Sequence, residues 1–126
     1  RQVGLRFVSP TAFKQGPRHL PLPLPVNVFS GPLRIWEVFA PPMLRLPDGW
    51  LEWCSRDVFV TGHRIETVTI AIDQQERFTG FVGEVWFEAH QGEEVNLCAW
   101  QALADLATFC GVGHKTPMGM GAVERI

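Results

Sequence analysis

The stretch that decides the fold is residues 96–126, NLCAWQALADLATFCGVGHKTPMGMGAVERI. Its first half predicts a helix over residues 96–110, because apolar residues recur every three or four positions and define one buried stripe. Gly111 is a natural C-cap for that helix, and residues 120–126 predict a final strand. The stripe consists of Leu97, Trp100, Leu103, Ala107 and Cys110, thickened by Ala104 and Leu106.

A glycine-rich loop, residues 109–121, separates this helix from the last strand. Glycine is costly in helices and strands but useful where the backbone takes a positive φ or approaches a ligand closely. His114 and Lys115 add a titratable ring and a cation beside the loop's backbone N–H groups. Such a loop can form a nest for an anion such as a phosphate. The alternative is a long connection with no ligand.

Two familiar glycine-rich motifs do not match this loop. A P-loop places glycine directly before Lys-Ser/Thr, whereas here His114 precedes Lys115 and Thr116. Both the P-loop and the dinucleotide-binding fingerprint also run from strand into helix. This loop is predicted to run from helix into strand, so neither motif applies.

Upstream, residues 64–73 and 78–89 predict a β-hairpin. The first segment is rich in β-branched residues, and the second alternates with aromatic residues. Gly80 and Gly83 lie inside the second strand, where glycine indicates a bulge or a close approach by another segment.

The first part of the chain predicts a strand and a helix. Residues 2–9 alternate between apolar and polar side chains, and Pro10 is expected to end that strand. Residues 14–25 predict a proline-rich loop that carries Lys14, Arg18 and His19. Residues 29–40 predict a helix capped by Asn27 or Ser30. Its expected buried stripe is Leu33, Trp36 and Phe39.

Residues 43–56 give no clear pattern and are interpreted as a short, extended piece. Trp50 and Trp53 flank Leu51 there. Either tryptophan packs in the core or anchors a partner at the surface, and both interpretations stay open.

The predicted order is strand, helix, strand, strand, helix, strand. This βαββαβ order predicts an α+β, ferredoxin-like fold with two helices on one face of a four-stranded antiparallel sheet. RNA-recognition domains use the same topology, although a fold alone does not give a function.

Composition bounds the class of protein. A chain of 126 residues with 46% hydrophobic residues predicts one folded domain with its own core. Only 19% of the residues are charged and the net charge is −2, which argues against disorder and against a globally basic nucleic-acid binder. Any RNA site must therefore be local. No apolar run is long enough to cross a membrane.

Three cysteines, Cys54, Cys98 and Cys110, form no close pair. We therefore expect reduced thiols and a cytoplasmic protein. Cys110 and His114 have a spacing that zinc ligands use, but no second pair completes a tetrahedral site. No metal or other cofactor is predicted.

Four segments carry a resemblance to a known family. Residues 7–13 (FVSPTAF), 23–25 (PLP), 80–83 (GFVG) and 111–121 (GVGHKTPMGMG) resemble the CRISPR RNA-processing endoribonucleases of the RAMP superfamily. The likeness spans nearly the whole chain, and the glycine-rich block is its most specific part.

The resemblance implies a function. Members carry two ferredoxin-like domains in tandem, and this chain, residues 1–126, resembles the C-terminal one. We therefore expect the N-terminal domain to be absent, and because the chain begins with Arg1 rather than Met, we expect it to be a fragment. The enzymes cut precursor CRISPR RNA within each repeat without metal, by attack of the ribose 2′-hydroxyl, and leave a 2′,3′-cyclic phosphate. The general acid–base histidine usually lies in the first domain, so this domain alone is expected to be inactive.

The expected RNA-binding residues belong to the glycine-rich loop and to the basic segment after the first strand. Lys115 and the loop N–H groups would hold phosphates without reading sequence, and Arg6 and Arg125 could extend a basic track. His114 is the one catalytic candidate, although a phosphate hydrogen bond or simple exposure to solvent is favoured over a role as acid or base. The full set is Lys14, Arg18, Gly111, Gly113, His114, Lys115, Thr116, Gly119 and Gly121.

Two further hypotheses remain beside RNA binding. The first is a non-catalytic subunit of a CRISPR ribonucleoprotein, in which exposed Trp50 and Trp53 would dock other CRISPR effector subunits. The second, and weakest, is a small-molecule sensor. Replacing Lys115 with Ala, or Gly113 with a bulky residue, is expected to weaken binding of CRISPR repeat RNA while leaving the fold intact.

Overall fold

One four-stranded antiparallel sheet and three helices make up most of the molecule. The computed structural model describes residues Arg1–Ile126. The strands are β1 (Gln2–Thr11), β2 (Phe13–Gln15), β3 (Arg18–Leu20), β4 (Val58–Ala71), β5 (Arg77–Ala89) and β6 (Val123–Arg125). The helices are α1 (Pro25–Phe39), α2 (Trp50–Asp57) and α3 (Glu94–Cys110), with short 3-10 turns at Pro42–Leu44 and Thr116–Met118.

The main sheet has the strand order β4-β5-β1-β6, and β2 and β3 form a separate two-stranded hairpin. All pairings are antiparallel. The two sequence-adjacent strands, β4 and β5, lie at one side, and β1 separates β5 from β6. This arrangement confirms the ferredoxin-like α+β fold, with a third, short helix added to the predicted two.

The core lies between the helices and one face of the sheet. Alternate residues of β1 and β5 point into it, as the two-residue period of a strand requires. Phe29 of α1 packs edge-on against Phe87 of β5, with ring centroids 5.5 Å apart, and against Trp100 of α3 at 6.0 Å. All three helices contribute buried residues to this single cluster, so they share one face of the sheet.

Pro10 does not end β1, which continues to Thr11. The register between β1 and β5 shifts between Phe7 and Thr11, so Pro10 lies in an irregular stretch where a missing N–H breaks no regular ladder. Its carbonyl accepts a hydrogen bond from the Gly121 N–H at 3.1 Å. The predicted strand end was therefore too early.

The segment predicted as a proline-rich loop begins with the β2–β3 hairpin. Lys14 lies directly opposite His19 in this hairpin, and Gln15 lies opposite Arg18. Gly16 makes the turn with a φ of +60°. The prediction of a loop over residues 14–25 was wrong at its start, because the ladder is only three residues long on each side and leaves no clear alternation.

Helix α1 begins at Pro25, four residues before the predicted start at residue 29. Proline suits the first helical position, where its missing N–H costs no bond. Neither Asn27 nor Ser30 caps the helix, because both lie inside it. Phe39 is 81% exposed, so its predicted burial was wrong. The buried residues are Val28, Phe29 and Pro32, with Leu33 and Trp36 partly buried against the core.

Trp50 and Trp53 are core residues of helix α2, with only 2% and 5% of their surfaces exposed. Their indole N–H groups donate to the carbonyls of Asn96, at 3.1 Å, and Gln91, at 2.8 Å. They therefore tie α2 to the start of α3. The predicted extended piece is a helix, and the interpretation of these tryptophans as surface anchors was wrong.

The two predictions with the clearest sequence patterns, the β4–β5 hairpin and helix α3, are confirmed. Strand β4 starts at Val58, before the predicted residue 64. Gly83 has a φ of +128°, and a Cβ there would lie 2.0 Å from the Arg64 carbonyl oxygen. The close approach predicted for this glycine is confirmed. No helix combines the length and apolar character that a membrane crossing requires.

Candidate nucleic-acid interface

A groove lies where the β2–β3 hairpin, helix α1 and the glycine-rich loop meet. It has a volume of about 380 Å³. Three cationic or titratable side chains line it, one from each element: Lys14, Arg34 and His114. No aspartate or glutamate lines it, so an anion meets no carboxylate on its walls. The remaining lining residues are Phe13, Asn27, Ser30, Gly31 and Gly113.

Helix α1 forms one wall with a polar face. The lining residues Asn27, Ser30, Gly31 and Arg34 are spaced three or four apart, and residues at that spacing share one side of a helix. The opposite side carries Phe29 in the core. One amphipathic helix therefore anchors the fold and presents an amide, a hydroxyl and a guanidinium to the groove.

The glycine-rich loop docks tightly on the end of β1. The His114 N–H donates to the Ala12 carbonyl at 2.9 Å. Gly113 has a φ of +83°, and a Cβ there would lie 2.5 Å from the same carbonyl oxygen. Only glycine fits this contact. The expectation that a bulky residue at Gly113 would leave the fold intact is therefore corrected: it would push the loop off β1.

Most N–H groups of the loop are already paired within the protein. The N–H of Val112 donates to the Gly121 carbonyl at 2.9 Å, which closes the loop at its base. The N–H groups of Met118, Gly119 and Met120 donate to carbonyls of the loop itself. The backbone donors left without a protein acceptor are those of Gly113, Lys115 and Thr116, so a nest is restricted to this short stretch.

His114 stacks against a histidine from the β2–β3 hairpin. The ring centroids of His19 and His114 are 4.6 Å apart, with 34° between their planes. The pairing joins positions that lie far apart in the sequence. His19 was predicted to be a loop residue in the basic segment with Lys14 and Arg18, and no local pattern could have revealed its partner.

The surroundings of His114 oppose its protonation. Partial burial lowers its pKa, and the positive charges of His19, Lys115 and Lys14 lower it further. Glu76 acts in the opposite direction. At neutral pH the free groove therefore holds a neutral imidazole that can accept a hydrogen bond or a proton.

Lys115 lies beside the groove and has a carboxylate partner. Its Nζ is 2.5 Å from Oε1 of Glu76, in the turn between β4 and β5. In that turn Asp73 accepts the N–H groups of Gln75 and Glu76, both at 2.7 Å, and these bonds together with Lys115 lower the pKa of Asp73. Lys115 is also the one non-glycine residue with a positive φ, of 62°.

The structure brings together only part of the predicted RNA-binding set. Lys14, Gly113 and His114 line the groove, and Lys115 follows directly in the loop. Arg18 lies on β3, next to His19 and exposed. The other predicted positions occupy the loop outside the groove and remain predictions: Gly111, Thr116, Gly119 and Gly121.

Arg6 and Arg125 do not join this cluster. Arg6 contacts Glu84 at 3.1 Å and Glu124 at 3.9 Å, while Arg125 contacts Asp105 at 2.6 Å. Both are committed to carboxylates of the sheet or of α3. The continuous basic track that would have included them is absent.

Arg34 lines the groove but was not predicted from the sequence. Its spacing from Asn27 and Ser30 was available as a polar helical face, but those two residues were interpreted as caps. Starting the helix at Pro25 would have placed all three on one side. No group of three or more histidine, cysteine, aspartate or glutamate side chains is arranged to hold a metal ion.

Comparison with known proteins points to one family. The family model described as CRISPR-associated endoribonuclease Cas6 matches residues 5–123. A curated relative from Streptococcus thermophilus, with the name CRISPR-associated endoribonuclease Cas6, is 24% identical over 118 residues. That match covers 94% of this chain and 48% of the relative.

Solved structures agree in fold. A Cas6 (TTHA0078) product complex superposes with a TM-score of 0.89 at 31% identity, covering 99% of this chain and 51% of that chain. Thermus thermophilus Cas6 (TTHB231) superposes with a TM-score of 0.87 at 29% identity, covering 99% and 53%. A Cas6 (TTHA0078) substrate mimic complex has a TM-score of 0.83 at 32% identity. This chain thus spans about half the length of the proteins it matches.

Proposed function

This chain belongs to the family of CRISPR-associated endoribonuclease Cas6, and on that premise we propose that it is the RNA-binding C-terminal domain of a metal-independent endoribonuclease. The whole enzyme would cut precursor CRISPR RNA within its repeats, in the cytoplasm. CRISPR repeat RNA is the partner. The family membership supports the reaction class, and the groove supports the proposed role of this domain.

The single observation that carries the role is the set of unmatched cations in the groove. Lys14 and Arg34 line it without making an ion pair, and Arg18 beside it makes none either. No carboxylate lines the groove, so Lys14 and Arg34 meet there without a counter-charge. A phosphodiester backbone supplies the missing counter-charges.

Binding in this groove would fix the position of the RNA strand. Guanidinium and ammonium groups contact phosphate oxygens and fix where the strand lies, without distinguishing bases. Arg34 can hold a phosphate with two parallel N–H donors. The amide of Asn27 and the hydroxyl of Ser30 are suited to the ribose, whose 2′-hydroxyl both donates and accepts hydrogen bonds.

Cleavage would need groups that this chain does not supply as a set. In the proposed reaction the ribose 2′-oxygen attacks the adjacent phosphorus, the bond to the 5′-oxygen breaks, and a 2′,3′-cyclic phosphate forms. A base must remove the 2′-hydroxyl proton and an acid must protonate the leaving oxygen. His114 could act as the base or as the acid. The His19 ring contacts the His114 ring directly, so the two histidines do not face one phosphate from opposite sides as a base and an acid would. Catalysis is therefore assigned to the other half of the enzyme.

The test is to mix this chain with labelled precursor repeat RNA in EDTA at moderate salt, scoring complex and product on one gel. Binding without cleavage is the expected result. Cleavage in EDTA would move catalysis into this chain and make His114→Ala the first variant to test. Absence of any complex, with the chain folded by circular dichroism, would contradict the proposal.

An apolar surface favours a second role, docking to another CRISPR subunit. Val38, Phe39 and Met43, at and after the end of α1, are 69%, 81% and 88% exposed. Exposed apolar clusters of this kind mark protein contacts. These residues replace the buried tryptophans as candidate anchors. Phe39→Asp with Met43→Asp would abolish subunit binding and leave RNA affinity unchanged under this alternative.

A further inference from the structure

We propose that His19 and His114 form a proton-coupled phosphate site, which takes up a proton when an RNA phosphodiester enters the groove. This inference rests on the proposed RNA-binding function. It adds a residue, His19, and a property, pH-dependent affinity, that family membership does not supply.

The first support is the geometry of the pair. His114 lines the groove, and His19 stacks on it at a centroid distance of 4.6 Å. The β2–β3 register fixes His19 opposite Lys14, which lines the same groove. The centroid of the buried Phe78 ring lies 6.3 Å from that of His19 and bounds it on another side. One imidazole, that of His114, thus lines a cationic cavity, and the His19 ring contacts it from behind this lining.

The second support is the charge around the pair. The facing groups are Lys14 from β2, Arg34 from α1, Lys115 from the loop and Glu76 from the β4–β5 turn. One carboxylate stands against three permanent cations, and that carboxylate already contacts Lys115. Adding a proton to His114 is therefore resisted in the free protein, consistent with its lowered pKa.

An RNA phosphodiester reverses this balance. It brings a permanent negative charge into hydrogen-bond reach of an imidazole N–H, and an opposite charge at that range favours the protonated form. The proton comes from solvent, and no covalent bond changes. Binding and protonation then help each other, so RNA affinity rises as the pH falls through the window between the free and the bound pKa of His114.

The size of the effect follows from linkage. Uptake of one proton strengthens binding up to about tenfold for each pH unit within that window. Between about pH 8 and about pH 6, where imidazoles titrate and the phosphodiester stays ionised, the wild-type dissociation constant for labelled repeat RNA should fall about tenfold or more. Fluorescence anisotropy at constant ionic strength measures it.

Variants assign the dependence to the pair. His114→Phe and His19→Phe keep an aromatic ring for stacking but cannot titrate, so each should flatten the pH profile. His63→Phe changes an exposed histidine on β4, outside the groove, and should keep the wild-type slope. Thermal unfolding at each pH checks that all variants remain folded.

Imidazole NMR supplies a readout independent of affinity. Titration of the His114 ring resonances with and without repeat RNA should show a higher pKa in the complex. Affinity that is flat with pH, or a slope retained in both phenylalanine variants, overturns the inference while leaving RNA binding intact. Absence of RNA binding at every pH overturns the proposed function and this inference together.

Discussion

Two groups of basic residues in this molecule differ in how their charges are matched. Arg6 and Arg125, at the β1–β6 side of the sheet, each contact a carboxylate within 3.1 Å. Lys14, Arg18 and Arg34, around the groove, contact none. The first group has its counter-charges in the fold, whereas the second lacks them.

The lack of an ion pair does not by itself mark a binding residue, because Arg45 and Arg64 also form none; Lys14 and Arg34 differ in lining one cavity that has no carboxylate. A surface ion pair contributes about 0 to 1 kcal/mol to stability and leaves little attraction for an external anion. An unmatched cation keeps its full attraction for phosphate and releases counter-ions when RNA binds. Sequence alone placed Arg6 and Arg125 with Lys14 and Arg18 in one track, and the ion pairs divide them.

The largest effect should come from reversing the unmatched charges. Lys14→Glu with Arg34→Glu replaces two attractions by two repulsions, so affinity for repeat RNA should fall about a hundredfold at moderate salt. The slope of log affinity against log salt should also become shallower, by about 0.7 for each phosphate of single-stranded RNA that the variant no longer neutralises. Fluorescence anisotropy over a salt series measures both.

The control for this variant is Arg45→Glu with Arg64→Glu, which makes the same change in net charge outside the groove. It should lose much less affinity. Equal losses in the two double variants would mean that overall charge, rather than the groove, attracts RNA.

The next largest effect is on stability and concerns the contact between the glycine-rich loop and the end of β1. Gly113→Val would place its Cβ 2.5 Å from the Ala12 oxygen at a φ of +83°, so we expect a loss of about 2 kcal/mol in the free energy of unfolding. Gly119→Val shares the positive φ, +88°, but its Cβ would meet open space. Strain alone should cost it about 1 kcal/mol. Urea denaturation compares the two, and equal losses would contradict the tight docking on Ala12.

Lys115 is intermediate between the two groups of basic residues, because Glu76 neutralises its charge only in part. Lys115→Ala should weaken RNA binding about threefold, and Glu76→Gln, which frees the ammonium for phosphate, should strengthen it about threefold. Anisotropy at low and moderate salt measures both. Weaker binding of the Glu76→Gln variant would show instead that the carboxylate positions Lys115 for RNA.

The smallest effect on RNA should come from the matched arginines. Arg6→Ala and Arg125→Ala should each change RNA affinity by less than about twofold, and each should lower the free energy of unfolding by about 0.5 kcal/mol. Anisotropy and urea denaturation test the two halves of this prediction. A loss of RNA affinity comparable with that of the groove variant would remove the distinction between the groups.

The elements with the clearest period could be predicted from the sequence. The β4–β5 hairpin and α3 have strong patterns, and the order of elements was enough to give the ferredoxin-like fold. Errors arose where tertiary contacts override local pattern. Pro10 stays in β1 because the register shifts around it, and Phe39 completes a helical stripe that extends beyond the core.

The groove could be predicted only in part, because it is made by three separate segments. The loop drew attention to Gly113, His114 and Lys115 by composition. The stacking of His19 on His114 and the contact of Arg34 with the same cavity depend on how β3 and α1 pack beside the loop. Side-chain pairing across such distances leaves no trace in local spacing.

RNA contacts on this chain can be mapped residue by residue by NMR chemical-shift perturbation with unlabelled repeat RNA. If RNA binds in the groove, the largest shifts will cluster at Lys14, His19, Arg34, Gly113 and His114, with little change at Arg6 and Arg125. Shifts concentrated at the β1–β6 side of the sheet, or on the apolar surface around Phe39, would contradict binding in the groove.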